Sequence, residues 1–255
     1  REMEVKIKVL VGDKNAKGLN MGTFHSLMAS VLRREASYVG YKSNYTIYDE
    51  SDSRSLLKAI IKEMSLDEKK YKPAVVHSVI SMAKNNCIDA DSYSINRSEV
   101  DMDNEYDLGK IGEIYHLYEA RLRQANAMDF DDLLLKAYHL FRDNDEIRKQ
   151  YSDKYKYILI DEYQDTNYVQ QQIVYLLSGK NGYVCAVGDD YQSIYAFRGA
   201  RIDNILKFRS LFDDCKLFKL ERNYRSTKMI VAAANSLMKH NKNQIDKDVY
   251  SDKAD

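Results

Sequence analysis

Tryptophan is absent from the 255 residues, and Pro73 is the one proline. With only ten glycines as further breakers, a sandwich or barrel built on many tight turns is disfavoured and long helices are favoured. Cysteine is scarce: Cys87, Cys185 and Cys215 are odd in number and widely spaced, which gives neither a disulfide framework nor a zinc-ligand pattern. A cytoplasmic location is the simplest expectation. No apolar run reaches the roughly 18 residues that a membrane-spanning helix needs. The opening REMEVKIKVL does not read as a secretory signal. Net charge is missing too, since 39 Lys and Arg balance 39 Asp and Glu. What is present is a 44% hydrophobic fraction, which excludes a disordered tail, and 21 tyrosines, which supply most of the aromatic surface. The length allows one or two domains at about 150 residues each.

The zero net charge hides an uneven distribution. Residues 1–34 carry seven basic and three acidic residues, whereas 35–150 carry 16 and 22. From Lys216 to Lys242 there are seven basic residues and a single acidic one, Glu221. A polyanion would therefore meet the ends of the chain rather than its middle.

The middle reads helical. Leu56, Leu57, Ile60 and Ile61 share one helical face. Val75, Val76, Val79, Ile80 and Met82 follow the proline, a residue suited to a helix start. Further stripes run through Ile111–Leu122 and Leu133–Phe141, and all four are read as core. From residue 155 the pattern changes. Tyr157–Ile160 and Tyr183–Val187 are short apolar runs flanking a helical stretch, Val169–Leu177, which predicts a βαβ unit and a parallel sheet. Lys216–Leu220 is read as a third strand, followed by a helix from Lys228 capped by Ser226 or Thr227.

Two carboxylates, Asp161 and Glu162, end the first of these strands, which is read as buried. In open α/β sheets ligands lie at that edge. An apolar strand ending in Asp-Glu suits a Mg²⁺ ligand beside a group that accepts a proton from water. The second strand runs into Val187–Ala200, which holds Gln192, Tyr195, Phe197 and Arg198. A neutral glutamine can meet a γ-phosphate, two aromatics can stack on bases, and an arginine can pair with phosphate.

These segments carry a resemblance. Asp161–Asn167 (DEYQDTN), Val187–Ala200 and Leu220–Thr227 (LERNYRST) resemble motifs II, III and IV of the UvrD/Rep/PcrA helicases of superfamily 1. Thr23–Ser26 (TFHS) resembles motif Ib, and Met128–Leu133 (MDFDDL) resembles the acidic element ahead of motif II. The resemblance implies an α/β fold: a partial RecA-like P-loop NTPase domain with a parallel sheet and a helical inserted subdomain. Residues 1–45 and 146–222 would form domain 1A, 46–145 the insertion 1B, and 223–255 the start of 2A. ATP and Mg²⁺ are the implied cofactors, and single-stranded DNA and single/double-strand junctions the implied substrates. Asp161 would hold Mg²⁺ and Glu162 would activate water. Gln192 and Arg225 would reach the γ-phosphate, and Tyr224 would stack on adenine. Thr23, His25, Phe130, Tyr195, Phe197 and Arg198 would meet DNA. Phe197 stands where the family often has tryptophan. The implied activity is a 3′–5′ helicase or translocase in repair or replication restart, with repair or replication proteins as partners of unknown identity.

One element is missing. ATP hydrolysis on this architecture needs G-x-x-x-x-G-K-S/T. Only Gly109 and Gly179 precede lysine, and Ile111 and Asn181 follow those lysines. The chain is therefore expected to be a helicase fragment without the P-loop and the C-terminal motifs, inactive alone. Two other readings stand beside it: the helicase region of a recombination helicase–nuclease, and a P-loop-less DNA-binding remnant.

Overall fold

The computed structural model describes residues 2–96, 108–179, 182–196, 199–212, 214–241 and 244–254. They fall into two compact units, Arg1–Gln150 and Tyr151–Asp255.

The first unit is mainly helical. It opens with α1 (Glu2–Val11), the single turn α2 (Asp13–Ala16) and α3 (Phe24–Glu35). Strand β1 (Thr46–Ile47) leads to α4 (Glu50–Glu63), whose start is fixed by a reciprocal cap between Asp49 and Asp52. Pro73 sits in the first turn of α5 (Pro73–Asn85), where its missing N–H costs nothing. After α6 (Ala90–Ile95) and α7 (Ile111–Gln124), strand β2 (Ala127–Met128) pairs parallel with β1. Helix α8 (Asp132–Asp143) packs against α3, and α9 (Asp145–Lys154) carries the chain into the second unit.

The helical stripes do form the core. Leu57, Ile60 and Ile61 meet Val76, Ile80, Ile114 and Leu122 in one apolar cluster. Each such side chain contributes about 1.5–3 kcal/mol. Val75 and Met82 are exceptions, exposed because only one side of α5 faces the cluster. Tyrosine takes the place of tryptophan in this core: Tyr45, Tyr93, Tyr115 and Tyr118 are fully buried. Three of these hydroxyls are satisfied inside, with Tyr45 donating to Ala29 O, Tyr115 to Ile88 O and Tyr118 to Asp129.

The second unit contains the βαβ element. Strand β3 (Tyr157–Ile160) pairs parallel with β4 (Tyr183–Ala186), in register Tyr157↔Tyr183 to Ile160↔Ala186. Between them runs α10 (Tyr168–Ser178), started by a reciprocal cap between Asn167 and Gln170. The short α11 (Ile202–Leu206) and α12 (Lys228–Met238) follow.

Three expectations change here. β3 is half-exposed rather than buried: Tyr157 and Leu159 are 71% and 78% exposed, and no described residue covers that face. Lys216–Leu220 is not a strand. Its apolar residues find no paired neighbour, and pairing begins only at a parallel bridge between Arg222 and Tyr250. Thr227 occupies the N-cap of α12 without a side-chain hydrogen bond, and Asn223 Oδ1 accepts from the Arg225 and Ser226 amides just before it.

Candidate functional site

In the second unit, Asp161 and Glu162 sit at the carboxyl end of β3 and Asp189–Gln192 follow β4. Pairing continues past both strands. Val187 N donates to Ile160 O at 2.8 Å, and Tyr163 N donates to Val187 O at 2.9 Å. Glu162 has φ 50°, ψ 45°, the left-handed conformation that a side chain with Cβ rarely adopts. Such strain, about 1 kcal/mol or more, persists only where the surroundings enforce it.

Gln164 is one such constraint. It is buried, at 1% exposure. Its Nε2 donates to Glu162 Oε2 at 2.7 Å and its Oε1 accepts from Asp189 N at 3.0 Å. Asp189 Oδ2 in turn accepts from Gln192 Nε2 at 2.8 Å. A continuous chain of hydrogen bonds thus runs Glu162–Gln164–Asp189–Gln192 across the two strand ends. Gly188 makes room for it: a Cβ there would lie 2.6 Å from Gln164 Oε1 and 3.2 Å from Tyr163 N.

Tyr163, Thr166 and Asn167 of the DEYQDTN segment hold the fold together. Tyr163 is fully buried and meets Phe208 edge-on at 5.1 Å. Buried Asn204 donates to the carbonyls of Thr166 and Asn167 at 3.0 and 3.1 Å. Among the described residues no group of three or more His, Cys, Asp or Glu side chains could hold a metal by itself. Asp161 and Glu162 nevertheless suit Mg²⁺, which commonly uses one or two carboxylates and takes its other ligands from phosphate and water. Asp161 Oδ1 accepts from Glu162 N, leaving Oδ2 for a cation.

Tyr195 is part-exposed, while Phe197 and Arg198 lie outside the described residues. Tyr224 is exposed, with the Arg222 guanidinium 5.0 Å from its ring centre. Arg225 is exposed, and its side chain makes no ion pair among the described residues. No described side-chain bond joins Tyr224 or Arg225 to the Glu162–Gln192 chain.

In the first unit, Thr23, His25 and Phe130 come together. Thr23 caps α3, its Oγ1 accepting from Ser26 N at 3.3 Å, and its hydroxyl proton stays free to donate. The His25 and Phe130 rings stack with centres 4.0 Å apart and planes 20° apart. Burial pushes the His25 pKa down to about 4, so the stack is neutral at pH 7. Phe130 remains 55% exposed and offers a flat face.

A buried ion cluster lies beneath this platform. Asp129 and Asp132 cap each other's amides at 3.2 and 2.8 Å. Lys84 Nζ reaches Asp129 and Asp132 at 2.8 and 2.9 Å and Glu119 at 2.6 Å. Lys136 reaches Glu119 at 2.6 Å. Burial alone would drive Lys84 neutral, but the three carboxylates overcome it and hold its pKa well above the ordinary value. Three carboxylates face two ammonium groups, so one negative charge is in excess. Burial and the neighbouring carboxylates accordingly push Asp132 up to about 6. Lys84, Glu119 and Gln164 were not singled out from sequence. Lys84 did carry a signal, standing four residues beyond Ile80 on the buried face of α5.

Residues 1–213 match the UvrD/REP helicase N-terminal domain. The chain is 41% identical over 98% of its length to the ATP-dependent DNA helicase UvrD1 of Mycobacterium leprae, covering 33% of that protein. It is 39% identical over 99% of its length to a probable DNA helicase II homolog of Rickettsia conorii, covering 38% of it. To the ATP-dependent DNA helicase PcrA of Staphylococcus aureus it is 38% identical over 98% of its length, covering 33%. The chain thus spans about a third of the length of the curated relatives it matches. With that family match over residues 1–213, the chain belongs to the UvrD/REP helicase N-terminal domain family.

Proposed function

We propose that this chain supplies the water-activating part of an ATPase site, together with part of a single-stranded DNA track, to an ATP-dependent 3′–5′ DNA helicase. The observation that carries this is the hydrogen-bond chain from Glu162 to Gln192 across the ends of two parallel strands. It links the carboxylate suited to accept a proton with the carboxamide suited to meet a γ-phosphate.

In this reading Mg²⁺-ATP, when bound, supplies the phosphoryl group and neutralises its charge. Asp161 would hold the cation. Glu162, fixed by Gln164, orients the attacking water and takes its proton. Gln192 senses the terminal phosphate. Arg225 approaches that phosphate, and Tyr224 stacks on the adenine. The chain contains no G-x-x-x-x-G-K-S/T, so the phosphate cradle must come from outside these residues. Thr23 donates to a DNA phosphate and the neutral His25–Phe130 stack receives a base, and Tyr195, Phe197 and Arg198 are further DNA contacts in this reading. A RecA-like domain 1A from 1–45 and 146–222, a helical insertion 46–145 and the start of domain 2A at 223–255 complete the proposed architecture. The setting is the cytoplasm, in DNA repair or replication restart.

The test is strand displacement by the helicase that carries this segment. With ATP it should unwind a duplex bearing a 3′ single-stranded tail and leave a 5′-tailed duplex intact. Unwinding of neither substrate, or of the 5′-tailed duplex alone, contradicts the reading.

A further inference from the structure

Lys247 lies outside every segment that the sequence motifs single out, yet it closes onto the middle of one. Its Nζ is 2.6 Å from Asp189 Oδ1 and 2.6 Å from Asp190 Oδ1. It also stands 3.9 Å from the centre of the Tyr191 ring. Its neighbour Ile245 donates its amide to Asp190 Oδ2 at 2.7 Å. Asp190 is buried, so this ammonium is the cation that compensates it. Asp189 divides its carboxylate: Oδ1 faces Lys247 and Oδ2 takes Gln192 Nε2. Burial would raise the Asp189 pKa, but its bonds to Lys247 and Gln192 hold it below the ordinary range.

The other end of the Lys247 segment is tied to the segment bearing Arg225. Asn223 N donates to Tyr250 O at 2.7 Å and Tyr250 N donates to Glu221 O at 2.9 Å. Asp248 N donates to Glu221 Oε1 at 3.0 Å. Residues 245–250 therefore bridge the LERNYRST segment and the loop after β4, and Lys247 is the ionic half of that bridge.

We infer that Lys247 is a positioning residue for Gln192: it neutralises the Asp189–Asp190 pair, fixes the carboxylate on which the Gln192 carboxamide rests, and links that carboxamide to movement of the Arg225 segment. The inference rests on the reading of Gln192 as the γ-phosphate sensor for its functional consequence, and on geometry alone for its structural one.

Two readouts keep those apart. In the 255-residue chain, the Gln192 side-chain amide is followed by ¹⁵N NMR, assigned with Gln192→Asn. Lys247→Met should move its resonances toward those of a free carboxamide and speed their exchange with water. Lys247→Arg, which can still pair with both carboxylates, should keep them near the wild-type positions. In the ATPase-competent helicase, Lys247→Met should lower the DNA-stimulated kcat at least fivefold while KM for ATP stays within twofold, and Lys247→Arg should recover most of the loss. An unmoved Gln192 signal, or a wild-type kcat in Lys247→Met, overturns the inference. Absence of DNA-stimulated ATPase in the wild type overturns the functional reading instead, and the amide signal still decides the link. If Lys247→Met fails to fold, Lys247→Met with Asp190→Asn leaves no uncompensated charge at 190 and gives the same readout.

Discussion

Gln164 shows what a single buried amide can do. Its two ends meet a side-chain carboxylate and a backbone N–H, so no other residue type of its size satisfies both. Gln164→Ala frees the Glu162 side chain and leaves the Asp189 amide without its acceptor. The expected result in the ATPase-competent helicase is a kcat reduced about 10–100-fold with little change in KM for ATP, measured by steady-state hydrolysis. Gly188→Ala drives a methyl group into Gln164 and backbone, so it should destabilise the second unit by about 1–3 kcal/mol in denaturant unfolding. His25 tests the platform. Its folded pKa, about 4, lies below the ordinary 6.5, so its stabilisation is complete above about pH 6.5 and is lost as pH falls toward 4. His25→Asn should therefore lose less stability than the wild type between pH 7 and 4.5, by on the order of 1–3 kcal/mol in thermal melts. Phe130→Ala should weaken binding of an oligo-dT strand by about tenfold, equally at pH 6 and pH 8, because the stack is neutral across that range.

At the scale of elements, the sequence was legible wherever periodicity met solvent on one side. The stripes on α4, α5, α7 and α8 are the core, and the βαβ unit appears with its strands within one residue of the expected ends. Lys216–Leu220 shows why the same reasoning fails elsewhere. A short apolar segment can pair, whereas pairing needs a neighbour that the local sequence does not specify. The acidic element MDFDDL shows the same dependence on distant neighbours. Its Asp129 and Asp132 point inward to Lys84 while the apolar Phe130 points out. That inversion depends on Lys84 and Glu119, which come from two other helices. The cluster has a measurable consequence: Lys84→Met leaves three carboxylates facing only Lys136, and should destabilise the first unit by about 3–5 kcal/mol in urea unfolding. If the loss is below about 1 kcal/mol, the cluster is not what holds the Phe130 turn.

At the scale of the whole molecule, the two candidate ligand surfaces share one design. Each pairs an exposed functional group with a buried polar support: Phe130 over the Lys84 cluster, and Glu162 over Gln164. The residues proposed to touch ligand stand in motifs because their chemistry demands particular types. Their supports were not singled out from sequence, because a supporting side chain is defined by distant partners rather than by spacing along the chain. The missing phosphate cradle has its own consequence. The 255-residue chain by itself should hydrolyse no ATP above background, with or without single-stranded DNA, in a phosphate-release assay. The most direct test of the central claim is DNA-stimulated ATP hydrolysis by the helicase carrying this segment, wild type against Glu162→Gln, with nucleotide binding measured on the same samples. The account predicts retained ATP binding and a kcat lowered by at least about a hundredfold, the scale of a lost general base. A Glu162→Gln protein that hydrolyses ATP at the wild-type rate would contradict it.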